Sequence, residues 1–456
     1  MIQNFVPKSF SVFRWLFFTA IALSLVALPI SSAQAVSPMR APTAGTTTRV
    51  SVASDGTQGN DFSVEPSISA SGRYVAFNSL ASNLVSGDTN GVVDVFVHDR
   101  KTGQTTRVSV ASDGTQGNEL SDAPSISDDG RYVAFFSNAS NLVSGDTNET
   151  GDVFVHDRKT GQTTLVSVAS DGTQGNGGSG HAAISPNGRY VAFQSEASNL
   201  VSGDTNNTID VFVHDRKTGQ TTLVSVGSNG TQGNDLSLHP SISADGRYVA
   251  FDSLATNLAE GGDTNSTSDV FVHDLKTGQT TLVSVASDGT QGSGYSFVPS
   301  ISASGRYVAF DSFATNLVSG DTNFAPDIFV HDLKTGQTTR VSVASDGTQG
   351  NSDSGGRSIS ATGRYVAFHS FATNLVSDDT NFTGDTFVHD RKTGQTTRVS
   401  VASDGTQGND FSGDPSISAT GHFVAFTSFA TNLVSGDTNG TGDIFVHDRQ
   451  GGGIVE

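Results

Sequence analysis

The chain contains no cysteine among its 456 residues. Disulfide frameworks, thiolate metal sites and thiol nucleophiles are therefore excluded. The only tryptophan is Trp15, and basic residues are scarce, with 25 Lys and Arg against 45 Asp and Glu. A surface of this sign is a poor partner for nucleic acid, because phosphate binding depends on basic side chains.

Long apolar runs are missing after the first 30 residues. The N-terminal segment carries Lys8 and Arg14, then an apolar stretch over 16–30 and an Ala-Gln-Ala sequence that ends at Ala35. This order is typical of a secretory signal peptide, and the stretch is shorter than the roughly 20 residues that span a bilayer. We expect cleavage after Ala35, a secreted or periplasmic protein with no transmembrane segment after cleavage, and a mature net charge of 23 − 45 = −22.

The dominant feature of the remaining sequence is a repeat of about 58 residues. The string Asp-x-Phe-Val-His-Asp occurs seven times, and its histidines are spaced by 58 or 59 residues. This period suits a four-stranded propeller blade with one long loop. The first unit reads as strand a over 66–69, strand b over 73–78, strand c over 94–98 and strand d over 105–110. The repeated histidines are His98, His156, His214, His273, His331, His389 and His447.

The order of strands at the two ends predicts a closed ring. Residues 47–52 read as a strand d without a, b and c before it, whereas the last unit stops after its strand c. Pairing the two ends completes the last unit and removes an exposed sheet edge. The predicted fold is all-β: a seven-bladed β-propeller of four-stranded antiparallel blades over 46–450, closed by the N-terminal strand. Residues 36–45 are then a short linker and residues 451–456 a C-terminal tail.

The repeat resembles a known family of propeller repeats. Residues 66–77 read Pro-Ser-Ile-Ser-Ala-Ser-Gly-Arg-Tyr-Val-Ala-Phe, and 94–99 and 101–106 read Asp-Val-Phe-Val-His-Asp and Lys-Thr-Gly-Gln-Thr-Thr. These strings are similar to the TolB-type, WD40-like (PD40-type) repeat, and residues 185–188, Ser-Pro-Asn-Gly, are the best local match. The resemblance covers 46–450. It implies the propeller fold and no particular function.

A second motif, Asp-Thr-Asn-x-x-x-Asp, lies in the loop between strands b and c of every unit. Oxygen side chains at its first, third and seventh positions are ligands that Ca²⁺ prefers, although about three to five further oxygens would be needed. No copy has the full residue pattern of an EF-hand loop. Alternatively, the first two side chains form local turns and the last anchors strand c. The candidate ligands are Asp88, Asn90, Asp94; Asp146, Asn148, Asp152; Asp204, Asn206, Asp210; Asp263, Asn265, Asp269; Asp321, Asn323, Asp327; Asp379, Asn381, Asp385; and Asp437, Asn439, Asp443.

The b–c loops and the d–a loops should share one rim of the propeller, because the blades are antiparallel. These loops vary between units and hold most of the acidic residues, whereas basic residues, including the arginines of strand d, are expected on the other rim. We interpret the variable rim as a surface that binds a protein, a glycan or a cation-bridged ligand. The candidate binding residues are Asp61, Glu65, Glu119, His181 and His239.

Catalytic signals are weak. The His-Asp pair repeats in every unit, whereas an active site is usually single, so a buried structural histidine is expected. Ser354 lies in an Asp-Ser-Gly-Gly string similar to the nucleophile segment of trypsin-like proteases, but in a d–a loop, and no Gly-x-Ser-x-Gly elbow occurs. Strand a reads as mostly Ser, Ile and Ala, with little asymmetry.

These patterns favour an exported, monomeric, non-enzymatic binding or scaffold propeller with no catalytic residues. Ca²⁺ is its one candidate cofactor. A propeller enzyme of lactonase or lyase type, or a purely structural envelope protein, is the alternative, because the fold alone does not determine function.

Overall fold

The computed structural model describes residues 45–260 and 262–451. The predicted signal peptide, nearly all of the predicted linker and most of the predicted tail lie outside these residues. Within the described part, no helix is long and apolar enough to cross a membrane.

The described residues form seven four-stranded antiparallel sheets, as the repeat predicts. Strand a is the first strand of each blade, and in strands b and c nearly every Val, Ala, Ile and Phe is buried. The strands a are β2 (Ser63–Ile68), β6 (Ser121–Ile126), β10 (Ser179–Ile184), β14 (Ser237–Ile242), β18 (Ser296–Ile301), β22 (Ser354–Ile359) and β26 (Ser412–Ile417). The strands b are β3 (Tyr74–Ser79), β7 (Tyr132–Ser137), β11 (Tyr190–Ser195), β15 (Tyr248–Ser253), β19 (Tyr307–Ser312), β23 (Tyr365–Ser370) and β27 (Phe423–Ser428).

Strands c and d form the outer half of each blade. The strands c are β4 (Asp94–Asp99), β8 (Asp152–Asp157), β12 (Asp210–Asp215), β16 (Asp269–Asp274), β20 (Asp327–Asp332), β24 (Asp385–Asp390) and β28 (Asp443–Asp448). The strands d are β5 (Gln104–Arg107), β9 (Gln162–Leu165), β13 (Gln220–Leu223), β17 (Gln279–Leu282), β21 (Gln337–Arg340), β25 (Gln395–Arg398) and, for the last blade, β1 (Thr46–Arg49). We number the blades 1 to 7 from β2 to β26.

The N-terminal strand closes the ring. β1 pairs antiparallel with β28, so that Thr47 lies opposite His447, and the last sheet has the order β1-β28-β27-β26. The predicted closure is therefore confirmed.

The seven strands a surround the central channel, as in other propellers. Neighbouring strands a are joined through a serine hydroxyl: Ser67 Oγ accepts the Ile126 N–H at 3.1 Å, and Ser416 Oγ accepts the Ile68 N–H at 3.1 Å across the closing junction. In blade 3, Ala183 replaces this serine. The same bond therefore cannot form toward blade 4.

Strand a begins earlier than the sequence predicts. In blade 1 it starts at Ser63 rather than Pro66, and a β-bulge shifts the register between Val64 and Ser67. The bulge adds a residue and breaks the alternation of side chains, so the strand could not be recognised from its pattern. The third residue of each strand a, the bulge residue, has a positive φ of 47–57° in all seven blades. The bulge residues are Glu65, Ala123, His181, His239, Val298, Gly356 and Asp414.

Candidate active site at the channel mouth

The bulge residues are adjacent to the fifth residues of the strands b. This fifth position is variable in an otherwise nearly constant string, Tyr-Val-Ala-Phe-x-Ser. Together the two sets of seven form the end of the channel on the rim of the b–c and d–a loops, which we call the channel mouth. The expectation that strand a offers little asymmetry is wrong, because the bulge places variable residues here. The fifth residues of strand b are Asn78, Phe136, Gln194, Asp252, Asp311, His369 and Thr427.

Several strand-b side chains hold the bulge of the next blade. Gln194 Oε1 accepts the backbone N–H of His239 at 3.1 Å, and Asp252 Oδ1 accepts that of Val298 at 2.8 Å. The bulge takes these N–H groups out of the strand pairing, so each needs another acceptor. The variable position therefore both supports the scaffold and furnishes polar side chains at the channel.

A histidine and a carboxylate meet at the mouth in blade 4. His239 Nδ1 lies 2.9 Å from Asp252 Oδ1; the Asp252 side chain is 4% exposed and that of His239 is 28% exposed. An ionised carboxylate only accepts hydrogen bonds, so Nδ1 carries the proton and a neutral His239 keeps its lone pair on Nε2. This arrangement orients an imidazole base next to the channel.

His181 of blade 3 completes this group. Its ring centroid lies 5.2 Å from that of His239, edge to face at 79°, and the residue is exposed. Two imidazoles and one buried carboxylate therefore share one side of the mouth. Such a group can remove a proton from one atom and deliver a proton to another.

A second polar group lies across blades 5 and 6. Arg357 Nη1 lies 2.6 Å from Asp311 Oδ2, and both side chains are buried. Burial raises the pKa of the Asp311 carboxyl, while the charges of Arg357 and His369 oppose that rise. A Cβ on Gly356 would lie 2.7 Å from His369 Nδ1. The bulge of blade 6 thus requires glycine to leave room for the imidazole.

Sequence reasoning placed His181, His239 and Glu65 in d–a loops, but they lie in strands a. The structure brings the two histidines together. Glu65 is the bulge residue of blade 1, where Asn78 Nδ2 lies 3.5 Å from Glu65 Oε2. Asp61 and Glu119 stay in the d–a loops of blades 1 and 2.

Three mouth residues, Asp252, Asp311 and His369, and the neighbouring Arg357 were not among the predicted site residues. The signal for three of them was present, because a single variable position inside a constant strand b marks a site that the scaffold does not fix. Arg357 also stands where five other blades have proline.

The repeated strand-c histidines have a different environment. His98 is 6% exposed, and its Nδ1 lies 2.8 Å from Thr105 Oγ1. Burial lowers its pKa to about 4. The adjacent Asp99 accepts two hydrogen bonds from Arg73, at 2.9 and 2.7 Å. These pairs are structural elements of each blade.

In each blade the two aspartates of the candidate metal motif lie close together, and both accept hydrogen bonds from the side-chain amide of one glutamine. In each blade the side-chain nitrogen of a glutamine donates to the first aspartate of the motif at 2.6–2.9 Å and to the strand-c aspartate at 2.6–2.8 Å. The motif asparagine forms a local turn: Asn90 Oδ1 accepts the Val92 N–H at 3.2 Å. These bridging glutamines, which sequence reasoning missed, are Gln58, Gln116, Gln174, Gln232, Gln291, Gln349 and Gln407.

An arginine of strand d separates the seven aspartate pairs into two kinds. In four blades its guanidinium lies 3.5–3.9 Å from both carboxylates, so these arginines reach the acidic loops rather than the opposite rim, where they were expected. The arginine side chain is long enough to extend along strand d, and its guanidinium is attracted to the two carboxylates. Blades 2, 3 and 4 have leucine instead. The four arginines are Arg49, Arg107, Arg340 and Arg398.

Without that arginine, burial raises the pKa of Asp152 and of Asp269 to about 6. Among the described residues, no group of three or more histidines and carboxylates is arranged to hold a metal ion. Ca²⁺ binding therefore stays a prediction, and the three leucine blades are those in which no arginine competes for the carboxylates.

Comparisons with protein families and with curated proteins find no match. Solved structures do share the fold. An oligogalacturonate lyase in complex with manganese superposes with a TM-score of 0.54 at 12% identity, over 90% of this chain and 94% of that one. A prolyl endopeptidase gives 0.52 at 11% identity, over 85% of this chain and 50% of that one. A putative TolB from Agrobacterium tumefaciens gives 0.39 at 16% identity, over 65% of this chain and 83% of that one.

The TolB-type resemblance is confirmed at the level of the propeller fold. The expectation of a non-enzymatic binding or scaffold protein is wrong: the solved structures that superpose with a TM-score above 0.5 include enzymes, namely the oligogalacturonate lyase and the prolyl endopeptidase. The expectation failed for a physical reason. It assumed a uniform channel, whereas the bulge and the fifth residue of strand b place unrepeated histidines and carboxylates there.

Proposed function

We propose that this chain is an enzyme that acts by acid–base catalysis at the channel mouth, of the lyase- or hydrolase-like class. The observation that carries the proposal is the His239–Asp252 pair, in which a partly exposed imidazole is oriented by a buried carboxylate 2.9 Å away. Similar propellers include an oligogalacturonate lyase, which supports a role in breaking down a polymer.

In the proposed reaction His239 Nε2 is the general base. It accepts a proton either from a substrate carbon next to a carbonyl group, in an elimination, or from a water that attacks the substrate, in a hydrolysis. A neutral sugar chain without such a carbonyl group allows only the hydrolysis. The negative charge of Asp252 stabilises the imidazolium that forms, and its hydrogen bond keeps Nδ1 protonated throughout. The proton then returns to solvent.

His181 is the proposed general acid. The centroid of its ring lies 5.2 Å from that of His239. A substrate bound next to both rings can therefore be deprotonated by His239 at one atom and protonated by His181 at the leaving oxygen. Delivering a proton to the leaving oxygen avoids the build-up of an alkoxide, and this applies to elimination and hydrolysis alike.

The charges of the mouth favour an uncharged substrate. Glu65, Asp252, Asp311 and Asp414 are acidic, and Arg357, the one Lys or Arg among the mouth residues and their direct neighbours, is committed to Asp311. A polyanion such as oligogalacturonate would meet repulsion here, which weakens its encounter with the site. The proposed signal peptide places this activity outside the cytoplasm.

Activity can be tested on neutral polysaccharides, polygalacturonate, aryl esters and lactones. An unsaturated product identifies a lyase, and incorporation of labelled oxygen from water identifies a hydrolase. We expect His239→Asn and Asp252→Asn to lower kcat by about 10²–10⁴-fold, the usual contribution of a positioned acid or base.

A matched control lies at the opposite rim. His422 occupies a position where the six other blades have arginine, and its Nε2 lies 2.6 Å from Asp448 Oδ1. His422→Arg also replaces a histidine, but restores the residue of the repeat, and should leave kcat unchanged. Wild-type turnover by His239→Asn would refute the proposal.

A further inference from the structure

The residues next to the channel mouth are strongly asymmetric. In every blade the residue after strand b donates its backbone N–H to the carbonyl of the residue before strand a, which forms one further rung above the mouth. In blades 5–7, five of the six rung residues are aromatic, against one of eight in blades 1–4. The aromatic ones in blades 5–7 are Tyr295, Phe313, Phe371, Phe411 and Phe429.

The rings of blades 6 and 7 contact one another beside the polar group of blades 5 and 6, and together with the rings of blade 5 we call them the aromatic wall. Phe371 and Phe411 stack with centroids 5.8 Å apart at 27°, and Phe429 lies 6.4 Å from Phe411. His369 touches both Phe371 and Phe411, at centroid distances of 6.2 and 5.8 Å. The wall is therefore continuous with the channel mouth.

In blade 5 the wall is open to solvent. Tyr295 is 54% exposed and Phe313 is 48% exposed, and Phe313 also packs on Phe297 at 6.0 Å. Large aromatic side chains exposed next to one another on a soluble protein mark a binding surface rather than a random surface feature.

The geometry and the charge select the ligand. Tyr295 and Phe313 are each about half exposed, so they offer apolar aromatic surface to a ligand. Exposed carboxylates of Asp353 and Asp410 border the wall and accept hydrogen bonds. An apolar aromatic surface bordered by acceptors matches a sugar ring, which has C–H groups on its faces and hydroxyl donors at its edge. The same carboxylates repel an anionic polymer.

We propose that the aromatic wall of blades 5–7, formed by the five rung residues and Phe297, binds the sugar rings of a neutral polysaccharide and holds that chain against the channel mouth. This inference rests on the proposed function, since it names the substrate class of the same site. Binding and turnover are nevertheless separable, because neither His239 nor Asp252 belongs to the wall.

Binding is tested by calorimetry and affinity electrophoresis with soluble neutral glucans, mannans and xylans, with polygalacturonate and oligolysine as charged probes. We expect a neutral polysaccharide to bind more tightly than either charged probe. The Tyr295→Ala/Phe313→Ala double variant should weaken that binding at least about tenfold, or 1.4 kcal/mol. Both side chains are about half exposed, so the fold should tolerate their loss.

The controls separate this inference from the proposed function. Phe382→Ala removes a ring that is 85% exposed but outside the wall, in a b–c loop, and should bind as the wild type does. His239→Asn should bind normally while losing turnover. Equal binding by the double variant, tighter binding of a charged probe, or no binding of any neutral polysaccharide would each overturn the inference. If His239→Asn kept turnover while the double variant lost binding, the proposed function would fail and the wall would stand.

Discussion

The strand-c histidines and the channel-mouth histidines show two uses of the same side chain in one scaffold. His98 and its six counterparts are buried and held by a threonine hydroxyl in the same blade. His239 is partly exposed and held by a carboxylate. A residue that is repeated in all seven blades makes a structural contact within its own blade. A residue that occurs at only a few equivalent positions can instead contribute a side chain to the channel that all blades share.

The difference teaches where to look in a repeat protein. Here the constant residues maintain the blades, and the chemistry lies at positions where the backbone is constant but the side chain is not. The bulge of strand a is such a position: all seven blades adopt the left-handed conformation there, with six different residue types. The three predictions below test this comparison.

The largest expected effect is on stability at low pH. The pKa of His98, His156, His389 and His447 is about 4 in the folded protein, against about 6.5 when unfolded. Between these values the unfolded chain binds more protons at these four histidines, so they lower the free energy of unfolding as the pH falls from 6.5 to 4. Urea unfolding at a series of pH values measures this slope.

Two carboxylates act against that slope. The folded pKa of Asp152 and of Asp269 is about 6, above the unfolded value of 3.8, so their protonation favours the folded state between pH 6 and 3.8. Seven other aspartates also have a raised pKa, so the contribution of the histidines is isolated by removing one of them. His389→Gln should reduce the slope and His239→Asn should not. An unchanged slope in His389→Gln would show that this strand-c histidine is not held neutral.

A smaller effect is expected from removing one repeated histidine. His331→Ala should lower the free energy of unfolding by about 1–3 kcal/mol, because it leaves a cavity and removes the partner of Thr338 Oγ1. Turnover below the melting temperature should not change. His239→Ala should do the opposite, with lost turnover and a stability change below about 1 kcal/mol. Similar stability losses from both substitutions would remove the distinction between the two classes of histidine.

The smallest effect concerns the aspartate pairs. Leu165→Arg, Leu223→Arg and Leu282→Arg together supply the guanidinium that the other four blades have, and should add up to about 1 kcal/mol per blade at pH 7. If Ca²⁺ occupies the leucine blades, millimolar Ca²⁺ should raise the melting temperature of the wild type and not that of the triple variant. No rise in the wild type, compared with a chelator, would rule out the Ca²⁺ prediction.

Most of the fold could be predicted from the sequence. Runs of Tyr, Val and Phe indicate strands b and c, and the number of repeats gives the number of blades. The closing strand followed from the offset between Thr47 and the last strand c. The start of strand a could not be predicted, since the bulge replaces alternation by an irregular step. That step moved His181 and His239 from a loop to the channel.

The pairing of His239 with Asp252 was out of reach for a related reason. The two residues are 13 positions apart and meet only because the bulge turns one side chain toward the fifth residue of the neighbouring strand. The glutamine bridges could not be predicted either, because they join residues that are distant in sequence. Gln116 Nε2, for example, donates to Asp88 Oδ1, which lies 28 residues earlier in the chain.

The pairing of Thr47 with His447 has a consequence for biogenesis. Among the described strands, β1 is made first, and its partner strand β28 is made last, since Thr47 and His447 are 400 residues apart. Six blades can assemble while the chain is still growing, but the seventh waits for the C-terminus. A chain truncated near its end would therefore expose the unpaired edges of β1 and of an incomplete last blade. These exposed edges would distinguish the truncated chain from the complete protein.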